Sequence, residues 1–455
     1  MIDFKTINPA TEETIEEYQY ENPKSLTKKI EQSYKAWVSW KDTSFQYRSD
    51  LLLTLAKLLV NEKEDIGLLI TQEMGKPLKQ SIAEIEKCAW VCEYYAHSGE
   101  MFLKPDIIES DATESFVSYE PLGPIMAIMP WNFPFWQVFR FAAPNLMAGN
   151  TGILKHSPNT TGCSLKIQAL FEKAGFPENT FQSIIAHTDD IEGVIGNKFI
   201  AGVTLTGSTK AGRSVASLAG KYLKKTVLEL GGSDPYLILE DADLSLAAEK
   251  CVTGRLINTG QSCIAAKRFI VTYKNEAEFT EKVRSLMAQK EFGDPVSNQF
   301  DLGSMARGDL RQQLHNQVKK TIEMGAQCIL GGTLPDSAGY FYPATLLTNV
   351  TKNMPAYEEE LFGPVASILV VKDEEEAIRV ANDTSYGLGG AVFTDDPIRG
   401  KEIAHQIQAG CVFVNDFVKS DPRLPFGGVK SSGYGRELSP LGIKEFVNAK
   451  TVYLT

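Results

Sequence analysis

Between residues 121 and 240 the chain alternates short apolar runs with helical ones: PIMAIMP, then NFPFWQVFRFAAPNLMAG, TGILKHS, SLKIQALFEKAG, FQSIIAH, VTLTGST, KAGRSVASLAG, TVLEL and YLILE. Short runs without polar alternation are buried on both faces, a property of parallel strands covered by crossover helices. Few folds satisfy that constraint. Residues 241–430 repeat it, from the helical DLSLAAEKCVTGRLIN through KRFIVTY, SILVV and AVFT to CVFVND, so a second α/β lobe is expected. Ligands of such sheets sit beyond the carboxyl ends of the strands.

Ahead of the first sheet, residues 25–104 carry apolar positions at three- and four-residue spacing in three stretches, the second separated from the third by Gly75 and Pro77. Tyr34, Trp37, Trp40, Trp90, Tyr94 and Tyr95 recur at helical spacing and read as core. Residues 105–120 lose the helical period and alternate like strands, which predicts a projecting hairpin arm.

The balance of 46 basic against 57 acidic residues gives a formal charge of −11, without a block of five like charges. Nucleic acid and anionic membranes both need a basic patch, so neither is expected as a partner. The apolar runs are too short or too interrupted to span a bilayer, and MIDFKTINPATEE lacks the basic and apolar regions of a signal peptide. Seven scattered cysteines fit a reducing cytoplasm. Five isolated histidines, and Cys88 and Cys92 without a matching second pair, give no metal-ligand spacing, so no metal is expected.

Two residues between Thr226 and Ile270 combine the parts of a covalent mechanism. Glu229 ends an apolar run and is followed by Leu230, Gly231 and Gly232, while Cys263 follows Gly260, Gln261 and Ser262 and precedes Ala265 and Ala266. A thiol on a tight turn can act as nucleophile, and a carboxylate near the acyl group it forms can activate water. The same types and spacing also fit a buried apolar cysteine and a surface acid at a strand end. GSTKAG (207–212) follows a strand and opens a helix, so its N–H groups can face a phosphate. It is neither GxGxxG nor a P-loop, and glycine at such a turn also has a purely steric use.

Seven stretches together resemble the aldehyde dehydrogenase superfamily, in family order over nearly the whole chain. They are PWNFPFWQ (130–137), ILKHSP (153–158), LTGSTKAGR (205–213), LELGGSDP (228–235), NTGQSCIAAKR (258–268), EELFGPV (359–365) and PFGGVKSSGYGRE (425–437). The resemblance implies an α/β fold of two Rossmann-type parallel-sheet lobes plus a β-hairpin oligomerisation arm. It divides the chain into an NAD(P)-binding domain at 1–230 with the arm at about 105–120, a catalytic domain at 231–430 and a C-terminal segment at 431–455. That last segment is expected to pair with the arm of a neighbouring subunit, giving a homodimer or homotetramer.

By the same resemblance Cys263 is the nucleophile, Glu229 the general base and Asn132 a donor to the oxyanion, together with the N–H of Cys263. Lys155 contacts the adenosine ribose, Gly207 and Ser208 the pyrophosphate, and Glu360 the nicotinamide ribose with Phe362 alongside; Trp131 and Leu230 belong to the same cofactor site. Many NAD-preferring relatives carry an acid where this chain has Pro158, which neither bonds a ribose hydroxyl nor repels a phosphate, so NAD and NADP both remain open.

The chain is also similar to the short bacterial succinate-semialdehyde dehydrogenases. Arg140 and Ser420 occupy positions that hold the substrate carboxylate there, though Arg140 equally fits a structural residue paired with an acid, and Ile257 stands where some of those enzymes place a second arginine. A missing guanidinium removes roughly 1.5–3 kcal/mol of charge-assisted hydrogen bonding, which keeps a broad-specificity aliphatic aldehyde dehydrogenase in view. A coenzyme A-acylating enzyme and a non-catalytic relative are the remaining alternatives. Ala265 replaces a cysteine used as a redox latch in some relatives, so no such disulfide is expected.

Overall fold

The computed structural model describes residues 2–455. An N-terminal ribbon of β1 (Phe4–Ile7) and β2 (Thr14–Tyr18) leads into four helices, α1 (Pro23–Trp40), α2 (Phe45–Asn61), α3 (Lys63–Met74) and α4 (Leu78–Phe102). Asn22 and Ser44 cap α1 and α2 by accepting from the N–H groups of Ser25 and Tyr47. The second of the three expected helical stretches is thus two helices. The backbone breaks at Glu62, whose carboxylate turns to Lys166 and Lys173. Gly75, in the left-handed region at φ 78, ends α3.

The first sheet is built from β5 (Pro124–Met129), β6 (Thr151–His156), β7 (Phe181–Ile184), β8 (Gly202–Thr206) and β9 (Lys225–Glu229), with α5 (Trp136–Met147), α6 (Thr161–Lys173), α7 (Ile191–Ile195) and α8 (Thr209–Lys221) among the crossovers. Its parallel order is β9-β8-β5-β6-β7. Period-two alternation sends Ile125, Ala127 and Met129 into a core shared with α2–α6, and Met126 into a second core shared with α1 and α7. The chain leaves β5 to one side for β6 and returns on the other for β8. The segments following β5 and β8 therefore flank a switch point, where such sheets hold ligands.

The second sheet runs β10 (Asp234–Ile238), α9 (Leu244–Leu256), β11 (Ala266–Thr272), α10 (Glu276–Ala288), α11 (Gly308–Glu323), β12 (Gln327–Leu330), β13 (Thr345–Thr348), α12 (Pro355–Glu358), β14 (Val365–Val371), α13 (Glu374–Asn382), β15 (Gly389–Phe393), α14 (Pro397–Ala404) and β16 (Cys411–Val414). Its order is β12-β13-β14-β11-β10-β15-β16, parallel except for β12. Tyr236 and Ile238 face one core and Leu237 the other, so both lobes are sheets buried on both sides, as the apolar runs require.

The C-terminal segment returns to the first lobe. There β17 (Gly433–Tyr434) adds antiparallel to β9, and α15 (Ser439–Ile443) precedes β18 (Val447–Leu454). The arm itself is a hairpin of β3 (Asp106–Ile107) and β4 (Glu114–Pro121). One expectation is corrected here. β18 pairs with β4 of its own chain, in register from Val447 opposite Pro121 to Leu454 opposite Glu114, so these ladder bonds are made without a neighbour. The aromatic expectation is corrected in part: Trp40 and Tyr95 are core, whereas Trp90 is 37% exposed, with Arg423 over its ring.

The helical layer is tied to the sheet by a buried ion pair. Lys76 pairs with Glu84, and Glu84 also accepts from the N–H groups of Phe135 and Trp136, each at 2.9 Å, fixing the start of α5. In Glu84→Ala the Lys76 ammonium would be left buried without a counter-charge. A loss of about 3 kcal/mol or more is expected, measured as a lowered thermal midpoint.

Candidate functional site

The turn that carries Cys263 is held in an unfavourable conformation. Asn258 and Thr259 both have φ 53, and Gly260 has φ 73. For β-branched Thr259 this is an outlier costing on the order of 1–3 kcal/mol, so its surroundings must impose it. Gln80 Oε1 accepts from Asn258 N at 2.7 Å, and Thr259 Oγ1 accepts from Gly303 N at 3.0 Å. Gly260 is required for space as well, since a Cβ there would lie 2.2 Å from the Gly363 carbonyl oxygen.

The turn after β5 meets this segment through side-chain amides. Asn132 Nδ2 donates to the Gln261 carbonyl at 3.0 Å, Asn258 Nδ2 donates to the Asn132 carbonyl at 2.7 Å, and Gln137 donates to Asn132 Oδ1 at 3.0 Å. Lys267 ties down the other side of the thiol, donating to the carbonyls of Ser262 at 2.9 Å and Cys263 at 2.6 Å. Its ammonium also pairs with Glu360 at 3.2 Å.

Asn132 and Cys263 line one cavity of about 490 Å³, together with Trp131, Gly207, Ser208, Leu230, Glu360 and Phe362. Eight of the residues singled out in the sequence therefore share a single space. Trp131 and Phe362 meet edge to face, 5.7 Å between ring centroids. Thr206–Lys210 bring the N-terminus of α8 to this cavity, with Ser208 Oγ capping Ala211 N at 3.2 Å. A Cβ on Gly207 would meet only the Leu205 side chain, at 3.6 Å, so the backbone can be approached closely. Free N–H groups at a helix start suit a pyrophosphate, and the donors present fit a dinucleotide.

Glu229, Arg140, Ser420, Lys155 and Pro158 do not line that cavity. Glu229 is 2% exposed, its carboxylate oxygens have no hydrogen-bond partner among the described residues, and a Cβ on Gly427 would lie 2.6 Å from its Oε1. Arg140, read from the sequence either as a carboxylate anchor or as a structural residue paired with an acid, is ion-paired through Nε with Glu437 and stacked on Phe426, 4.5 Å from the centroid. Ser420 accepts from Lys87 at 2.8 Å. Lys155 ends β6 half-buried, its ammonium pushed down by burial, and Pro158 opens the turn before α6.

Burial sets the electrostatics. It pushes the Cys263 thiol up to about 12, against the lowering influence of Lys267 and Arg140. It raises Glu229 well above the usual carboxylate range, with Glu437 adding repulsion and Arg140 and Arg436 opposing. Glu437 is itself raised by burial, Arg140 opposing. Lys267, Glu437 and Lys87 escaped the sequence reading. Lys267 had a signal, lying in the same short run as the cysteine; Glu437 and Lys87 reach the site only through tertiary contacts.

The aldehyde dehydrogenase family model matches residues 2–452. A probable succinate-semialdehyde dehydrogenase (NADP(+)) of Synechocystis sp. is 46% identical over 449 residues, 99% of each chain. A succinate semialdehyde dehydrogenase (NAD(P)+) of Escherichia coli is 44% identical over 450 residues, covering 98% of this chain and 97% of that one. The crystal structure of succinic semialdehyde dehydrogenase from Streptococcus pyogenes with NADP+ superposes with a TM-score of 0.97 at 35% identity, over 99% of each chain. The chain belongs to the aldehyde dehydrogenase family.

A thiol held near 12 is protonated at neutral pH, and thiolate is the reactive form. Alkylation of Cys263 by iodoacetamide in the cofactor-free protein, followed by peptide mass spectrometry, should be slow at pH 7.5 and rise about tenfold per pH unit through pH 10. Lys267→Met, which removes the largest lowering influence, should slow it further.

Proposed function

We propose that the protein oxidises succinate semialdehyde to succinate with NADP or NAD. The observation that carries this reading is the placement of Cys263 and Asn132 in the cavity that also takes in the N-terminus of α8. When bound, the nicotinamide supplies the hydride acceptor. The Cys263 thiol gives up its proton to solvent and Sγ adds to the aldehyde carbon, giving a thiohemiacetal whose oxyanion takes hydrogen bonds from Asn132 Nδ2 and the Cys263 N–H. Loss of hydride from that carbon leaves a thioester on Cys263. Glu229, as its carboxylate and turned from its pocket beside Gly427, takes a proton from water as the water attacks the thioester and passes it to the departing sulfur, so that the carboxylic acid leaves with the thiol restored. Burial raises the Glu229 carboxyl, which makes its ionised form the stronger proton acceptor.

Relatives named for NADP(+) and NAD(P)+ support use of either cofactor, as does Pro158, which offers the ribose neither an acceptor nor a repelling charge. The assembly is read as a homodimer or homotetramer built through the arm, where Ile107 is 73% and Tyr453 50% exposed. Cytoplasmic location accords with seven cysteines that are all free. The pairing of Arg140 with Glu437 and the presence of Ile257 favour, as a second reading, a broad-specificity aliphatic aldehyde dehydrogenase.

In an aldehyde panel followed by absorbance of the reduced cofactor, succinate semialdehyde should exceed butanal in kcat/KM by roughly tenfold or more. Equal values would favour the broad reading. Cys263→Ser should abolish turnover while cofactor still binds. Glu229→Gln should keep a single burst of reduced cofactor and lose steady turnover by about 10²–10⁴; undiminished steady turnover would remove Glu229 from the scheme. Pro158→Glu should lower the NADP-to-NAD ratio of kcat/KM about tenfold or more, through repulsion of the 2′-phosphate and a new acceptor for the 2′-hydroxyl.

A further inference from the structure

Helix α4 carries two lysines that the reaction above does not use, and of these Lys79 lies near Asp301 at 3.9 Å. The Lys87 ammonium, half-buried, donates to Ser420 Oγ at 2.8 Å and stands over the Trp136 ring, 4.4 Å from its centroid. Both partners are uncharged. Three other cations near the site are ion-paired, Lys76 with Glu84, Lys267 with Glu360 and Arg140 with Glu437, while Arg255 and Arg436 donate to main-chain carbonyls, of Gly260 and of Gly428 and Gly435. Among the described residues Lys87 has no carboxylate within ion-pairing distance. An ammonium drawn out of water without a counter-charge is costly, and such a group either loses its proton or waits for an anion. Burial is the main influence on it and pushes it down to about 8, with Arg140 adding repulsion and Cys88, Asp421 and Glu84 opposing.

The surroundings connect this ammonium to the nucleophile. Trp136 opens α5 directly after the turn that bears Asn132. Ser420 follows Phe417 and Val418, which belong to the same apolar cluster as Ile264, the neighbour of Cys263. Trp90, on the same helix as Lys87, lies under Arg423 at 5.5 Å, so α4 and the loop from Phe417 to Arg423 form two walls of one region.

We propose that Lys87, with the Ser420 hydroxyl, receives the distal carboxylate of the aldehyde substrate, and that it is the charged contact selecting an acidic aldehyde. This assignment rests on the substrate reading given above. Arg140 then acts as a positioning cation: its Nε is committed to Glu437 and its face to Phe426. The incoming carboxylate supplies the counter-charge that Lys87 lacks and accepts from both Lys87 and Ser420. Lys87 thereby fills the role left open by Ile257.

The test compares kcat/KM for succinate semialdehyde and for butanal in the wild type, Lys87→Met and Lys87→Arg, with NADP. The ratio of the two should fall roughly ten- to a hundredfold in Lys87→Met, the worth of one charge-assisted hydrogen bond, mainly through KM for the acidic aldehyde. Lys87→Arg should recover part of it. In the wild type the same ratio should decline as pH rises through about 8, where Lys87 loses its proton; titration of Cys263 affects both aldehydes and cancels. A wild type that does not prefer the acidic aldehyde defeats the substrate reading and this inference with it. A preference that survives in Lys87→Met, or losses shared equally by both aldehydes, overturns the inference alone. Should Lys87→Met not fold, a flat pH dependence of the wild-type ratio overturns it equally.

Discussion

The Gln261 carbonyl, which accepts from both Asn132 and Asn258, is the point on which the two lobes are registered. Asn132 belongs to the turn after β5 in the first sheet, and Asn258 and Gln261 to the turn before β11 in the second. Both amides are buried, so an unmade bond would cost the full desolvation of a polar group, and the arrangement has little freedom to slide. Beside it, the bonds to Gln80 and Gly303 hold the left-handed backbone at Asn258 and Thr259. Strain at one turn and the junction of two domains are thus one feature. It fixes the thiol relative to the amide without either residue being rigid by itself.

Legibility followed the range of the forces involved. The sheets were readable because burial on both faces leaves a local signature, and the period-two split of Tyr236 and Ile238 from Leu237 follows directly from it. Of the eight residues that share the cavity, Cys263 and the Gly207–Ser208 turn had a local signal, a thiol on a tight turn and a strand-to-helix turn, whereas Trp131, Asn132, Leu230, Glu360 and Phe362 were named only through the family resemblance. What escaped depended on contacts between distant segments. The break at Glu62 is stabilised by Lys166 and Lys173 from another helix, so the apolar spacing runs through it unbroken. β18 looks like a strand in need of a partner, and nothing within it says that β4 of the same chain is within reach.

Arg140 shows the same limit for charge. Its position matched a substrate-binding arginine, yet a guanidinium in a low-dielectric interior takes the nearest carboxylate, and that is Glu437, brought beside it by the segment that carries β17 past β9. Lys87 is the converse case. In IEKCAWVCEYY it interrupts an apolar run, which by itself reads as a snorkelling lysine at a helix edge. Only the return of the loop ending at Ser420 removes its water and leaves it without an acid.

These placements are linked through the two buried acids. Burial raises both carboxyls, Glu437 adds to the cost of ionising Glu229, and Arg140 opposes the shift of each. Arg140 is ion-paired with Glu437, and Glu229 is left without an ion-pair partner, its carboxyl pushed up by burial and by Glu437. Were Arg140 free to leave for a substrate carboxylate, Glu437 would lose its partner and two unpaired acids would remain in one dry pocket, several kcal/mol less favourable. The ion pair is therefore better kept through the catalytic cycle, with recognition of the substrate's charge assigned to a different cation. Acid tuning and substrate selection then draw on separate groups, so that binding an anionic aldehyde need not disturb Glu229, the acid proposed to activate water.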